Sequence, residues 1–412
     1  MDQTGVVIVG SGQGGYQVAA SLRDDGYQGA IVLVGEEPGL PYQRPPLSKG
    51  FLGGKTQEYE LELRPESFYP GRGITLISAQ RALRINRAER RVALADGREL
   101  SYRHLVLATG TRPRLLTVPG AELDNVLPLR SRADAQSIHA QLKTARRVVV
   151  VGAGFIGLEV AVIAQAMGCE VHVIEFADRA LKRAVSKEVA EFLVKVQMQR
   201  GVTFSFSTGV ASLAGDGTKV TAVVTDTGRT VPADLVVVGV GVEPNVELAR
   251  DAGLAVNDGI VVNAELLTSD PAISAIGDCA RFPADYCTAP VRLESVQNAV
   301  DQARCVAARL AGKAAPDARY NKLPWFWSDQ GEYRLQIAGV SAAEDEAVVR
   351  GDIAQGRFSI LRFRGERLTA VESINSAADH MAARKLLTEG ASVSRSQATD
   401  ISLKLASLAR SS

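Results

Sequence analysis

Acidic and basic side chains beside two glycine-rich turns are where this chain could do chemistry. Val6–Gly15 reads VVIVGSGQGG, so four apolar residues run straight into Gly10-Ser11-Gly12-Gln13-Gly14-Gly15. An apolar strand, a G-x-G-x-x-G turn and a following helix form a dinucleotide-binding unit. Gly10 permits the tight turn, Gly12 lets backbone approach a pyrophosphate, and Gly15 lets the helix pack on the strand. The anion then sits at a helix N-terminus, where unpaired N–H groups and the helix dipole favour negative charge. Ile31–Gly35 reads as the next strand, and Glu36 follows where a carboxylate takes ribose hydroxyls. The design repeats: Arg147–Val151 leads into Gly152, Gly154 and Gly157 in the same order, and Glu170–Ile174 ends at Glu175. Such a second acid accepts hydrogen bonds from a ribose and repels a 2′-phosphate, which points to NADH over NADPH.

Two dinucleotide units in one chain imply two dinucleotides. Two mobile nicotinamides have no shared use, whereas one held flavin and one exchanging nicotinamide pass hydride between stacked rings. Arg44-Pro45-Pro46-Leu47-Ser48-Lys49 follows the second strand, and its prolines predict a stiff extended loop without helix. Lys49 there and Glu159 on the second nucleotide helix are expected to pair across the gap between nucleotide domains. Gly277-Asp278 ends a short strand, and a helix beginning near Ser295–Val296 aims N–H groups where a reduced flavin gathers charge.

The elements that must position these groups read as follows. Tyr16–Asp24 is a first helix, and Ala82–Asn86 and Arg91–Leu94 begin an antiparallel meander through Tyr102. Leu105–Ala108 is a buried strand before the crossing to the second unit. Ser186–Arg200 is amphipathic, Val220–Thr225 and Thr230–Pro232 form a hairpin, and Asp234–Gly239 is buried. Glu294–Leu310 is a helix; short alternating strands follow from Asn321, then a helix near Ala377–Leu387 and a polar tail. The expected fold class is α/β, with two Rossmann-like nucleotide-binding domains plus a C-terminal α+β domain. Residues 1–112 and 244–320 make the first domain, 113–243 the second and 321–412 the third.

With 412 residues and a net charge of +1, the chain has room for such domains but no global attraction to nucleic acid or an acidic membrane. The apolar tract Val148–Met167 carries the glycine fingerprint and Glu159, so it reads as strand plus helix and not as a membrane span. Cys169, Cys279, Cys287 and Cys305 lack a C-x-x-C spacing and fit free thiols in a reducing compartment. The first strand begins within a few residues of Met1, leaving no room for a signal peptide, and the expected location is cytoplasmic. His104, His139, His172 and His380 are scattered, so no metal site is expected.

The ordered set VVIVGSGQGG, PYQRPPLSK, LVLATGTRPR, VVVVGAGFIGLEVA, GVGVEPN, IGDCARF, ESVQNA and FWSDQ spans nearly the whole chain. It resembles the FAD-dependent ferredoxin reductases that serve bacterial cytochromes P450 and dioxygenases. The resemblance implies a glutathione-reductase-like fold and electron transfer from NADH through FAD to a [2Fe–2S] ferredoxin. It implies Gly14 and its neighbours at the FAD pyrophosphate, Glu36 at the ribose, and Arg44 and Lys49 along the cofactor, with Lys49 near the reactive face. Ala82 is then placed at the adenine half, Arg130 at the domain crossover, Asp278 at the ribityl chain or phosphate, and Val296 at the pyrimidine end. For NADH it implies the second glycine loop with Ile156, Glu159 and Glu175, and Glu294 near the carboxamide. Trp327 matches an aromatic that shields the flavin ring.

Two other functions compete. A disulfide reductase or thiol-dependent oxidase needs a cysteine near the first nucleotide unit, yet none precedes Cys169, and Ser48 occupies the proline-rich loop. An NADH sensor of the apoptosis-inducing-factor type is the other. The expected ferredoxin is acidic, and Arg304, Arg309, Lys385 and Lys404 are its expected docking cations.

Overall fold

Short β-branched runs make the strands of two parallel sheets; the central ones, Gly5–Val9, Arg147–Val151, Glu170–Ile174 and Leu235–Val238, are buried along nearly their whole length, and edge strands such as Thr203–Ser205 and Val126–Pro128 are not. The computed structural model describes residues 5–315 and 318–408. These fall into two units. One takes the described residues of Met1–Gln43, Tyr59–Arg112 and Glu243–Pro324; the other takes those of Arg44–Glu58, Pro113–Val242 and Trp325–Ser412.

In the first unit, Ile74–Ile77, Ile31–Val34, Gly5–Val9 and Glu99–Leu107 lie side by side in that order, with Ile273–Ala275 added beside Glu99–Leu107. The nine-residue strand serves two partners. Its first half pairs antiparallel with Arg91–Leu94, which pairs with Ala82–Asn86, while Leu105–Leu107 joins the parallel sheet. The meander and the buried strand expected separately are therefore one element and its neighbours. The first helix is Gln13–Asp24, beginning three residues before the expected Tyr16, and Val296–Leu310 packs against it.

In the second unit, Thr203–Ser205, Glu170–Ile174, Arg147–Val151, Leu235–Val238 and Val126–Pro128 form a five-stranded parallel sheet. An antiparallel sheet of five strands comes from the C-terminal part: Trp325–Gln330, Tyr333–Gly339, Arg367–Ile374, Arg357–Arg364 and Glu346–Asp352 in spatial order. Helix Ala377–Glu389 covers it.

Two expectations are corrected. Pro45 and Pro46 do not forbid helix: Pro45–Ser48 is a 3-10 turn with both prolines in its first positions. Proline lacks an N–H that the first turn never uses, and its fixed φ suits helix there. The chain after Leu387 is not simply a polar tail. Arg395–Thr399 and Leu405–Leu408 are short helices whose Ala398, Leu405 and Leu408 are buried with Val393 in the C-terminal core. The last four residues of the expected tail lie outside the described residues. Among the described residues no helix is long and apolar enough to cross a membrane.

Candidate functional site

The two glycine loops share one construction. Gly10 has φ +109°, and a Cβ there would lie 2.1 Å from the Ala108 carbonyl oxygen; at Gly15 it would lie 1.8 Å from the Gly10 oxygen. In the second loop Gly152 has φ +103°, and a Cβ on Gly157 would lie 2.0 Å from the Gly152 oxygen. Those glycines are required by the fold itself. Gly12 and Gly154 differ: among the described residues, chain neighbours and the helix's own backbone aside, no atom lies within 4 Å of a Cβ built on either. Each is the N-cap of the helix that follows, with no side-chain cap bond. Open space and uncapped N–H groups at the start of a 12-residue helix fit a pyrophosphate, and both loops provide them. Gly14 is tighter, its added Cβ 3.3 Å from Ile276 Cδ1.

The acids beyond these loops behave differently. Glu36 is exposed, with Arg81 Nε 3.7 Å from its carboxylate and Ala82 next in the chain. Glu175 turns back on its own loop: it accepts from the Ala153 N–H at 2.6 Å and the Ala177 N–H at 2.8 Å. Ile156 stands 39% exposed at the head of the second nucleotide helix, unusual for a large aliphatic side chain there.

Within the second unit a buried carboxylate gathers donors. Glu159 lies on the apolar helix Phe155–Ala166 with its side chain 5% exposed. Its Oε2 accepts from Lys49 Nζ at 2.8 Å and from Ser48 Oγ at 2.5 Å, and its Oε1 accepts from Ser328 Oγ at 2.5 Å. The Lys49–Glu159 pair thus forms, and it forms inside one unit. The 3-10 turn at Pro45–Ser48 places Ser48 and Lys49 side by side for this carboxylate. Lys49 is one-fifth exposed and also donates to the Pro45 carbonyl at 3.3 Å. Ahead of the turn, Arg44 donates to the Arg130 carbonyl at 2.7 Å. Trp327 lies on the strand that carries Ser328, half-buried, with its ring 5.7 Å from that of Trp325.

In the first unit, Asp278 is half-buried and accepts from Thr111 Oγ1 at 3.4 Å. Arg292, expected from no motif, donates to the Asp278 carbonyl at 3.2 Å and to Glu294 at 2.7 Å. Ser295 caps the helix that starts at Val296 by accepting from the Asn298 N–H. Cys279 beside Asp278 is fully buried, and burial pushes its thiol pKa up, away from a reactive thiolate. Of the expected docking cations, Arg304, Lys385 and Lys404 are exposed. Arg309 is corrected: it is half-buried and donates to Ser274 Oγ at 2.7 Å, so its charge serves the interior.

Ser48 and Ser328 were missed as site residues. Both sit inside motifs the sequence singles out, PPLSK and FWSDQ, but a serine bound to a residue more than 100 positions away leaves no periodic signal.

A family described as pyridine nucleotide-disulphide oxidoreductase matches residues 4–303, and one described as reductase C-terminal matches residues 325–409. Rhodocoxin reductase of Rhodococcus erythropolis is 48% identical over 404 residues, covering 97% of this chain and 94% of that protein. Putidaredoxin reductase of Pseudomonas putida is 42% identical over 389 residues, covering 93% and 92%. The ferredoxin reductase for the CYP199A2 system from Rhodopseudomonas palustris has a similar structure, with TM-score 0.96 at 46% identity, covering 99% of this chain and 100% of that one. The chain of a covalent putidaredoxin reductase–putidaredoxin complex gives TM-score 0.95 at 41% identity, covering 98% of each. Paired glycine cradles, a reductase C-terminal module and likeness over almost every residue lead to one conclusion: this chain belongs to the pyridine nucleotide-disulphide oxidoreductase family.

Proposed function

We propose that the protein takes hydride from NADH onto FAD and passes single electrons to a [2Fe–2S] ferredoxin that serves a cytochrome P450 or related oxygenase. The observation that carries this reading is the pair of open glycine cradles, built alike in a chain whose relatives include a rhodocoxin reductase, a putidaredoxin reductase and a ferredoxin reductase. Bound flavin supplies hydride acceptance and release of electrons one at a time.

The residues do the positioning. Gly10, Gly12, Gly14 and Gly15 hold the FAD pyrophosphate on the first helix, and Glu36 holds its ribose. Ala82, Arg44, Arg130, Asp278 and Val296 complete the FAD contacts, and the helix beginning at Val296 offers N–H groups to the pyrimidine end. Gly152, Gly154, Ile156, Gly157, Glu175 and Glu294 take NADH. Lys49, fixed by Glu159, would stand beside the bound flavin, and Trp327 would shield it. We assign the FAD domain to 1–112 and 244–320, the NAD domain to 113–243 and the remainder to the C-terminal domain. We place the protein in the cytoplasm, and its ferredoxin is acidic, met by exposed cations among which Arg304, Lys385 and Lys404 are candidates.

No thiol step is needed. Cys169 and Cys279 are buried, with both thiol pKa values raised first of all by burial. The test is NADH-dependent reduction of cytochrome c with and without added [2Fe–2S] ferredoxin. Strong dependence on the ferredoxin supports this reading; equal rates without it favour an NADH-sensing flavoprotein.

A further inference from the structure

Glu159 has two carboxylate oxygens and unequal support for them. Lys49 and Ser48 both donate to Oε2, while among the described residues Ser328 is the donor recorded to Oε1. A buried carboxylate oxygen that loses its donor is left unsatisfied, so it turns to find another. Ser328 is itself oriented. Gln330 Nε2 donates to Ser328 Oγ at 2.8 Å, which directs the single hydroxyl hydrogen at Glu159. Gln330 is held in turn: its Oε1 accepts from Gln197 Nε2 at 3.1 Å, and its Nε2 reaches the Phe155 carbonyl at 3.4 Å. Ser328, Gln330 and Gln197 are each 1% exposed, so water does not compete for these bonds.

The geometry points to Ser328 as a positioning residue: we propose that it clamps the Glu159 carboxylate in the orientation that holds Lys49 Nζ, with Gln330 aiming its hydroxyl. The clamp ties the C-terminal strand Trp325–Gln330 to the second nucleotide helix at Phe155 and Glu159, all within one unit. Through Lys49 it rests on the function proposed above, but the clamp is testable without that function.

The experiment compares the flavin-loaded wild type with Ser328→Ala, Ser328→Thr and Gln330→Leu. Lys49 is labelled briefly with acetic anhydride, and its acetylation is read by peptide mass spectrometry against exposed Lys55 and Lys385. Single-turnover reduction by NADH is measured alongside, with flavin content and melting temperature as folding controls. Ser328→Ala is expected to raise Lys49 labelling several-fold relative to the reference lysines and to slow hydride transfer without weakening NADH binding. Ser328→Thr, which keeps the hydroxyl, returns labelling toward wild type, and Gln330→Leu gives a smaller rise. Lys49 labelling in Ser328→Ala equal to wild type would overturn the clamp. Raised labelling with unchanged hydride transfer upholds the clamp and removes Lys49 from the hydride step.

Discussion

Glycines divide by what surrounds them, and the division predicts different failures. Gly12→Ala meets no atom of the described residues within 4 Å beyond its chain neighbours and its own helix backbone, and its extended backbone suits any residue. The FAD-free protein is expected to keep its stability within about 0.5 kcal/mol while FAD affinity falls, because the methyl would enter the space proposed for the pyrophosphate. Gly15→Ala meets the Gly10 oxygen at 1.8 Å and is expected to destabilise the protein even without cofactor. Thermal melts and flavin absorbance of both variants check this; equal FAD retention in Gly12→Ala would refute the cradle. Lys49→Ala is expected to slow reduction by NADH about tenfold or more at unchanged flavin content, because the proposed function places its charge beside the reacting ring. Stopped-flow absorbance reads it directly, and an unchanged rate would take Lys49 out of the mechanism. The two glycine turns are legible in sequence because the spacing within each is set by one local turn that both loops share. Ser48, Ser328 and Arg292 are not, since their partners are brought to them by the fold.

Strands and helices were most legible where apolar period and glycine boundaries agree. Arg147–Val151, Glu170–Ile174 and Val220–Thr225 match their expected limits residue for residue. Helix Arg132–Leu142 was not expected at all. It starts at a capping box between Ser131 and Asp134, but only Ala135, Ile138 and Leu142 are buried, too faint a stripe to read. The C-terminal segment failed for the same reason: four apolar anchors are spread over a polar background. Those anchors make a prediction. Leu405 is 1% exposed in the C-terminal core, so Leu405→Asp is expected to destabilise the protein by about 3 kcal/mol. Urea unfolding should record a lower midpoint, whereas no change would mean that this turn adds nothing to the core.

At the scale of the whole molecule, acid acts through buried imidazoles. Burial, with Arg309 adding repulsion, lowers the His104 pKa to about 3, and its Nε2 is 2.9 Å from Ser274 Oγ, which accepts from Arg309. An unfolded histidine titrates near 6.5, so between these values the unfolded chain binds one proton more than the native chain. Stability therefore falls as pH drops below about 6.5, by about 2 kcal/mol at pH 5 from His104 alone. His380 is displaced in the same direction, to about 4, mainly by burial. Chemical denaturation at pH 7 and pH 5 should record the loss, and His104→Gln should reduce it; an unaltered pH slope in that variant would contradict the assignment.

The central claim is that two glycine cradles serve one flavin and one nicotinamide with no sulfur between them. Titration of the purified protein with NADH under anaerobic conditions, followed by visible absorbance, tests it most directly. The account predicts one FAD per chain, bleached by about one equivalent of NADH, and equally so after the cysteines are blocked. A colourless protein that takes up no FAD, or bleaching abolished by thiol blocking, would contradict it.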